Sequence, residues 1–204
     1  MIDDTRPTTA AEDLAYIRRI MEETRRAVSL RGDYFIIWGV FALLGLIGTY
    51  LLARTAQAGW TQAPLWGGLM IIAWLATAWR VHTEVHTQRV CAPVGRMLGA
   101  TWIACSIAIV LVCFVGIPLG VTNFTAVGPT IASIIGVGVF VTGAQMGTPW
   151  VRNLSFGWWA GAIAEFIWHG EAQLLIGAIV VLLFYIVPGF VLNAQARKRY
   201  AARA

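Results

Sequence analysis

Charge is scarce in this 204-residue chain: Asp, Glu, Lys and Arg together make up 12%, against 58% hydrophobic residues. A soluble domain carries about twice that charged share, so a water-surrounded globule is excluded. The shortage is also uneven. Met97 to Val151 is 55 residues without an Asp, Glu, Lys or Arg, and Asp33 and Arg54 bracket twenty uncharged residues. A helix across a hydrocarbon core of about 30 Å needs about twenty apolar residues. The longer interval therefore holds two spans with a short connection, and the shorter holds one. Period-two alternation is lacking in these runs, which excludes a β-barrel and leaves helices as the backbone that satisfies itself in lipid.

Several functional signatures are missing as well. Cys91, Cys105 and Cys113 are odd in number and two fall within a span, so a disulfide framework is not expected. There is no HExxH, no paired CxxC and no Gly-rich phosphate loop. The spans hold no Ser/His or paired-Asp arrangement, and all three histidines (His82, His86 and His169) fall in connections on opposite sides, which argues against intramembrane haem. No enzyme activity and no cofactor are expected. The start, Met-Ile-Asp-Asp-Thr-Arg-Pro, is acidic and polar, unlike a cleaved signal peptide. The net charge of +5 comes from topology rather than from a basic face, so nucleic acid is not an expected partner.

What charge there is has a pattern. Fourteen of the fifteen Lys and Arg residues fall into alternate gaps between six apolar stretches. Arg6, Arg18, Arg19, Arg25, Arg26 and Arg31 precede the first stretch, Arg80, Arg89 and Arg96 lie in the second loop, and Arg152 lies in the fourth. Arg197, Lys198, Arg199 and Arg203 form the tail, and only Arg54 falls in an odd-numbered loop. Cytoplasmic loops retain Lys and Arg. The pattern predicts an all-α, polytopic bundle of six transmembrane helices with both termini in the cytoplasm. Residues 1–33 form a cytoplasmic or interfacial segment, 34–193 the bundle, and 194–204 a basic tail.

Residues 8–31 read as an amphipathic helix. Thr9 caps it, with Glu12 completing a capping box, and Leu14, Ile17, Ile20, Met21, Thr24 and Val28 make one face. Segment 1–33 carries six Arg against seven acids, for a net −1. A helix held to anionic lipid by charge should be clearly basic, so residues 9–30 are better suited to packing on protein, in their own bundle or a second copy. Lying flat on the bilayer is the alternative. The run Ile17-Arg18-Arg19-Ile20-Met21-Glu22, followed by the glycine-containing entry Gly32 to Gly39, resembles the Ile-Arg-x-Ile-Met-Glu start of small multi-pass bacterial membrane proteins without an assigned activity. That resemblance implies a bacterial inner-membrane address and carries over no catalytic or binding residue.

The spans are placed at about 34–53, 65–79, 97–117, 124–145, 154–168 and 172–192, with the second and fifth short. Trp60, Trp66 and Trp168 fall at the outer boundary and Trp38, Trp79 and Trp150 at the inner one, as belt residues do. Gly143 with Gly147, and Gly157 with Gly161, have the four-residue spacing that lets helices approach in lipid. Spans three and six share seven identities in sixteen positions at an offset of 70, among them Phe114 with Phe184 and Pro118 with Pro188. Such a likeness is what an inverted three-plus-three duplication leaves, a plan shared by many transporters.

Three places carry candidate chemistry. His82 and His86 share a helix face at i,i+4, with Cys91 as a softer third metal ligand; the plainer reading is a solvated loop that binds nothing. Glu165 is the one acid clearly inside a span, with His169 a turn away, and is a candidate proton or cation site or else a snorkelling carboxylate. Pro188-Gly189 predicts a kink in span six, which serves as a gate or simply as geometry. The leading reading is a non-enzymatic membrane component that acts by associating with itself or with another membrane protein. The alternative is a small transporter or channel.

Overall fold

The computed structural model describes residues 32–54, 61–87 and 93–201. The amphipathic segment 9–30, Trp60 and Cys91 lie outside the described residues. Within them the chain forms six helices: α1 Asp33–Ala53, α2 Gln62–Thr87, α3 Pro93–Leu111 continued by a π turn over Val112–Gly116, α4 Phe124–Gln145, α5 Pro149–Ile167, and α6. The last runs Glu171–Val181, passes through a π turn at Leu182–Ile186, and continues Val187–Ala201. Successive helices alternate in direction. We call the end where α1 starts proximal and the opposite end distal.

Five of the six, α1, α2, α3, α4 and α6, are long and apolar enough to cross a membrane. The exception is α5, at 19 residues, which carries Arg152, Asn153 and Glu165. Its packing accounts for Glu165, while Arg152 and Asn153 stand exposed near its start. Val151, Ser155, Trp158, Ala162 and Glu165 are buried and repeat at alternating spacings of four and three, so one stripe of α5 is enclosed by protein. Phe156, Ile163, Phe166 and Ile167 on its outer side are exposed and apolar.

The neighbours run in the order α2, α1, α6, α5, α4, α3, and the most extensive contact is between α4 and α5. The first and last of the described helices, α1 and α6, therefore lie side by side. In the four-helix middle, Tyr185 of α6 is 6% exposed and meets aromatic rings from three directions. Its ring centroid lies 5.0 Å from that of Phe35, 5.5 Å from Trp158 and 6.3 Å from Trp102. Such pairs contribute about 0.5–1.5 kcal/mol each beyond the area they bury.

The buried hydroxyls do not join into a network. Thr142 donates to Gly138 O (2.7 Å), Ser155 to Arg152 O (2.6 Å), Ser133 to Pro129 O (2.8 Å) and Thr130 to Ala126 O (2.6 Å), each within its own helix. Tryptophan N–H groups tie helices together instead: Trp102 donates to Thr142 Oγ1 at 3.1 Å, and Trp159 to Ser133 O at 3.3 Å.

Two expectations change in detail. The second span is not short, because α2 continues past Trp79 to Thr87. Hydropathy marks where apolar surroundings end, and a helix goes on into polar ones. Gly143 and Gly147 do not act as a pair. A β-carbon at Gly143 would run into the backbone of Arg152, which makes it the point of closest approach between α4 and α5. Gly147 has nothing within 4 Å of such an atom and takes φ +59°. It closes α4 instead: Thr148 N bonds Gly143 O at 3.0 Å and Gly147 N bonds Ala144 O at 3.1 Å, a Schellman termination. By contrast, Gly157 against Phe184 and Gly161 against Val180 do form a close seam between α5 and α6.

Pro188, the expected kink, lies inside α6, which runs on to Ala201. The π turn precedes it, and Phe184 O, the carbonyl whose α-helical donor proline removes, accepts from Trp158 Nε1 at 3.3 Å. Gly189 seats the start of α1: a β-carbon there would crowd Phe35, Ile36 and Gly32 O.

Candidate functional site

Glu165 lies about one turn from the distal end of α5 and is 4% exposed. The heptad-like stripe of α5 points it between α4 and α6 rather than toward the surroundings. Each carboxylate oxygen faces a glycine. A β-carbon on Gly177 of α6 would sit 3.0 Å from Oε1, and one on Gly128 of α4 would sit 2.9 Å from Oε2. Leu46 of α1 closes the same space, 3.5 Å from the β-carbon position of Gly177. The slot thus exists because both positions lack side chains. Among the described residues, no hydrogen-bond donor or cation reaches either oxygen.

The one amide nearby is already engaged. Gln173 Nε2 lies 3.2 Å from the same β-carbon position of Gly128, and it donates to Thr125 O at 2.6 Å. His169 stands exposed in the turn between α5 and α6, outside the slot. Arg54 and Glu171 form a rim above it, 3.7 Å apart and both exposed, with the Arg54 guanidinium 4.6 Å from the Tyr50 ring centroid. An uncompensated charge in such surroundings costs several kcal/mol. The arrangement suits a group that takes up a proton, and it lacks the several oxygen ligands an alkali or divalent cation needs.

At the proximal end a second polar cluster joins three helices that lie far apart in sequence. Asp33, in the first turn of α1, pairs with Arg80 of α2 through one oxygen and accepts from Asn193 Nδ2 of α6 at 2.7 Å through the other. Gly32 and Gly189 make backbone contact beside it. Sequence reading placed Asp33 and Arg80 only as boundary charges. Their one legible signal was that each sits within a residue of where an apolar stretch begins or ends.

The histidine segment is less gathered. His82 is exposed near the proximal end of α2, and His86 falls four residues on in the same helix. Cys91 is outside the described residues, and among those described no group of three metal-ligating side chains occurs. Cys105 is buried and Cys113 half-buried, both as free thiols. Comparison of the chain with family models, with curated proteins and with solved structures returned no match.

Proposed function

We propose that this chain is an integral protein of a bacterial inner membrane, with six spans and both termini in the cytoplasm, that acts without catalysis by associating with itself or another membrane protein. The distribution of Arg supports the topology, and α5 is counted as a span because its one acid, Glu165, is enclosed, while Arg152 and Asn153 stand exposed near its start. The observation that carries the association reading is the filled middle: Tyr185 packed against Phe35, Trp102 and Trp158 leaves no room for a polar conduit. Among the described residues, the hydroxyls of Thr130, Ser133, Thr142 and Ser155 donate back to their own helices, which argues against a relay between the ends. The partner-facing element in this reading is the charge-balanced helix over 9–30.

The test is native mass spectrometry in nanodiscs of the full chain and of a chain lacking residues 1–31. The reading expects an oligomer, or a co-purifying membrane protein, that is lost on truncation. Monomers without partners in both samples would overturn it.

One observation favours the transporter reading. The π turns at Val112–Gly116 and Leu182–Ile186 stand at the same offset of 70 as the likeness between spans three and six, and Pro118 and Pro188 follow each by two residues. α3 packs on α4 as α6 packs on α1, the exchange expected of two swapped halves. Proton or ion flux into proteoliposomes that is altered by Pro188→Ala would favour this reading over association.

A further inference from the structure

We propose that the Glu165 carboxyl is a proton-binding site that exchanges with the distal face of the bundle and leads no further inward. The ligand is a single proton: hydronium protonates the carboxylate, leaving water and the neutral acid, and the reverse step restores the anion.

Four observations carry this. The carboxyl is 4% exposed, yet it lies about one turn below the distal end, with Gly128 and Gln173 half-buried between it and the rim. The slot holds its two oxygens against glycines on two different helices, in space that a side chain at either position would take. No donor or cation compensates it among the described residues, so a proton is the one charge-neutralising partner the slot admits. The groups packed around it are apolar or already engaged. α1 presents Leu46, α4 presents Gly128, and α6 presents Gly177 and Gln173, whose amide is held by Thr125 O. Of the titratable and charged groups described at this end, Arg54, His169 and Glu171 are exposed, and half-buried Tyr50 is engaged through its hydroxyl, which accepts from Arg54 Nη2.

Toward the proximal end the path stops. Below Glu165 on the enclosed stripe of α5 come Ala162, Trp158 and then Ser155, whose hydroxyl is bonded to its own helix. The site therefore loads and unloads from one side, and this holds whether or not the chain self-associates.

The experiment uses the full chain in nanodiscs and a hydrophobic carbodiimide, which reacts with a neutral carboxyl in apolar surroundings. The O–H adds across a C=N bond, so the adduct carries the whole reagent and nothing leaves. The expected result is one adduct, mapped to the peptide containing Glu165, absent in Glu165→Gln. Its rate should fall about tenfold per pH unit once the medium is more alkaline than the titration point. Gly128→Ala, which crowds Oε2, should change that rate by severalfold while Gly68→Ala, which meets nothing within 4 Å, leaves it unchanged. No label on Glu165 at any pH, or a rate independent of pH, would overturn the proposal. An infrared difference spectrum between wild type and Glu165→Gln provides a second readout. A carboxylic C=O band that grows in acid and shifts in deuterated buffer supports the site, and absence of such a band overturns it. Neither readout depends on oligomeric mass, so this inference and the association reading fail separately.

Discussion

Gln173 of α6 supplies the hydrogen bond that Pro129 withholds from α4. In an uninterrupted helix the N–H of residue 129 would bond the carbonyl of Thr125; proline has none, and Gln173 Nε2 occupies that carbonyl at 2.6 Å. Trp158 does the same for Phe184 O, four residues before Pro188. Two prolines inside helices are thus each answered by a side chain from a neighbouring helix, one way such helices keep their backbone satisfied.

Replacing Gln173 by Leu should lower stability by about 1 kcal/mol, the net worth of one such bond. In a Pro129→Ala background, where the backbone N–H returns, the same replacement should cost little. Thermal unfolding in detergent of the four proteins of this cycle measures the coupling. Additive effects of the two substitutions would contradict the relationship.

Trp158→Phe keeps an aromatic ring against Tyr185 but removes the donor to Phe184 O. A loss of about 1–2 kcal/mol is expected from the orphaned carbonyl and the reduced packing. Tyr185→Ala should cost more, about 3–5 kcal/mol, since it empties the centre of the aromatic cluster. The unfolding midpoints should keep that order.

The glycine series has an expected rank. Gly143→Ala places a methyl group into the backbone of Arg152, which cannot turn aside, and should be the most damaging. Gly157→Ala and Gly161→Ala press on the side chains of Phe184 and Val180 and should cost about 1–3 kcal/mol each. Gly147→Ala meets open space and bears only the cost of a left-handed backbone, about 1–2 kcal/mol. Unfolding midpoints in which Gly147→Ala equals Gly143→Ala would contradict the assignment of Gly147 to the turn.

At the proximal end, Asn193→Ala should lower stability by about 1 kcal/mol. Asp33→Asn should cost no more than about 1 kcal/mol for its ion pair, since Arg80 is partly exposed and solvent screens the attraction. Salt titration separates the two: added salt should weaken the wild type slightly and leave Asp33→Asn indifferent.

Much of this fold was legible because lipid leaves a simple trace in sequence. The bounds of α4, Phe124–Gln145, coincide with the fourth span as read, inside the uncharged run from Met97 to Val151. α2 was read short because Arg80 to Thr87 looks like a loop by polarity, although the helix carries on through it. Gly147 was misread because spacing alone does not separate a packing glycine from a terminating one; Schellman bonds depend on where the helix stops. Glu165 stood out as an acid within a span, but its burial depends on Gly128 and Gly177, 37 residues before it and 12 after, which no local pattern connects. The joining of Asp33 to Arg80 and Asn193, at separations of 47 and 160 residues, was out of reach for the same reason.

Because α1 lies against α6, the earliest span to be synthesised finds its principal neighbour only after the final one has been made. Until then Gly32, Phe35 and Gly39 face lipid or a helper protein in place of Gly189, Tyr185 and Ile186. Closure of the bundle thus awaits α6, the last of the described helices to be made. A nascent chain arrested before Glu171 should accordingly remain sensitive to protease near Asp33.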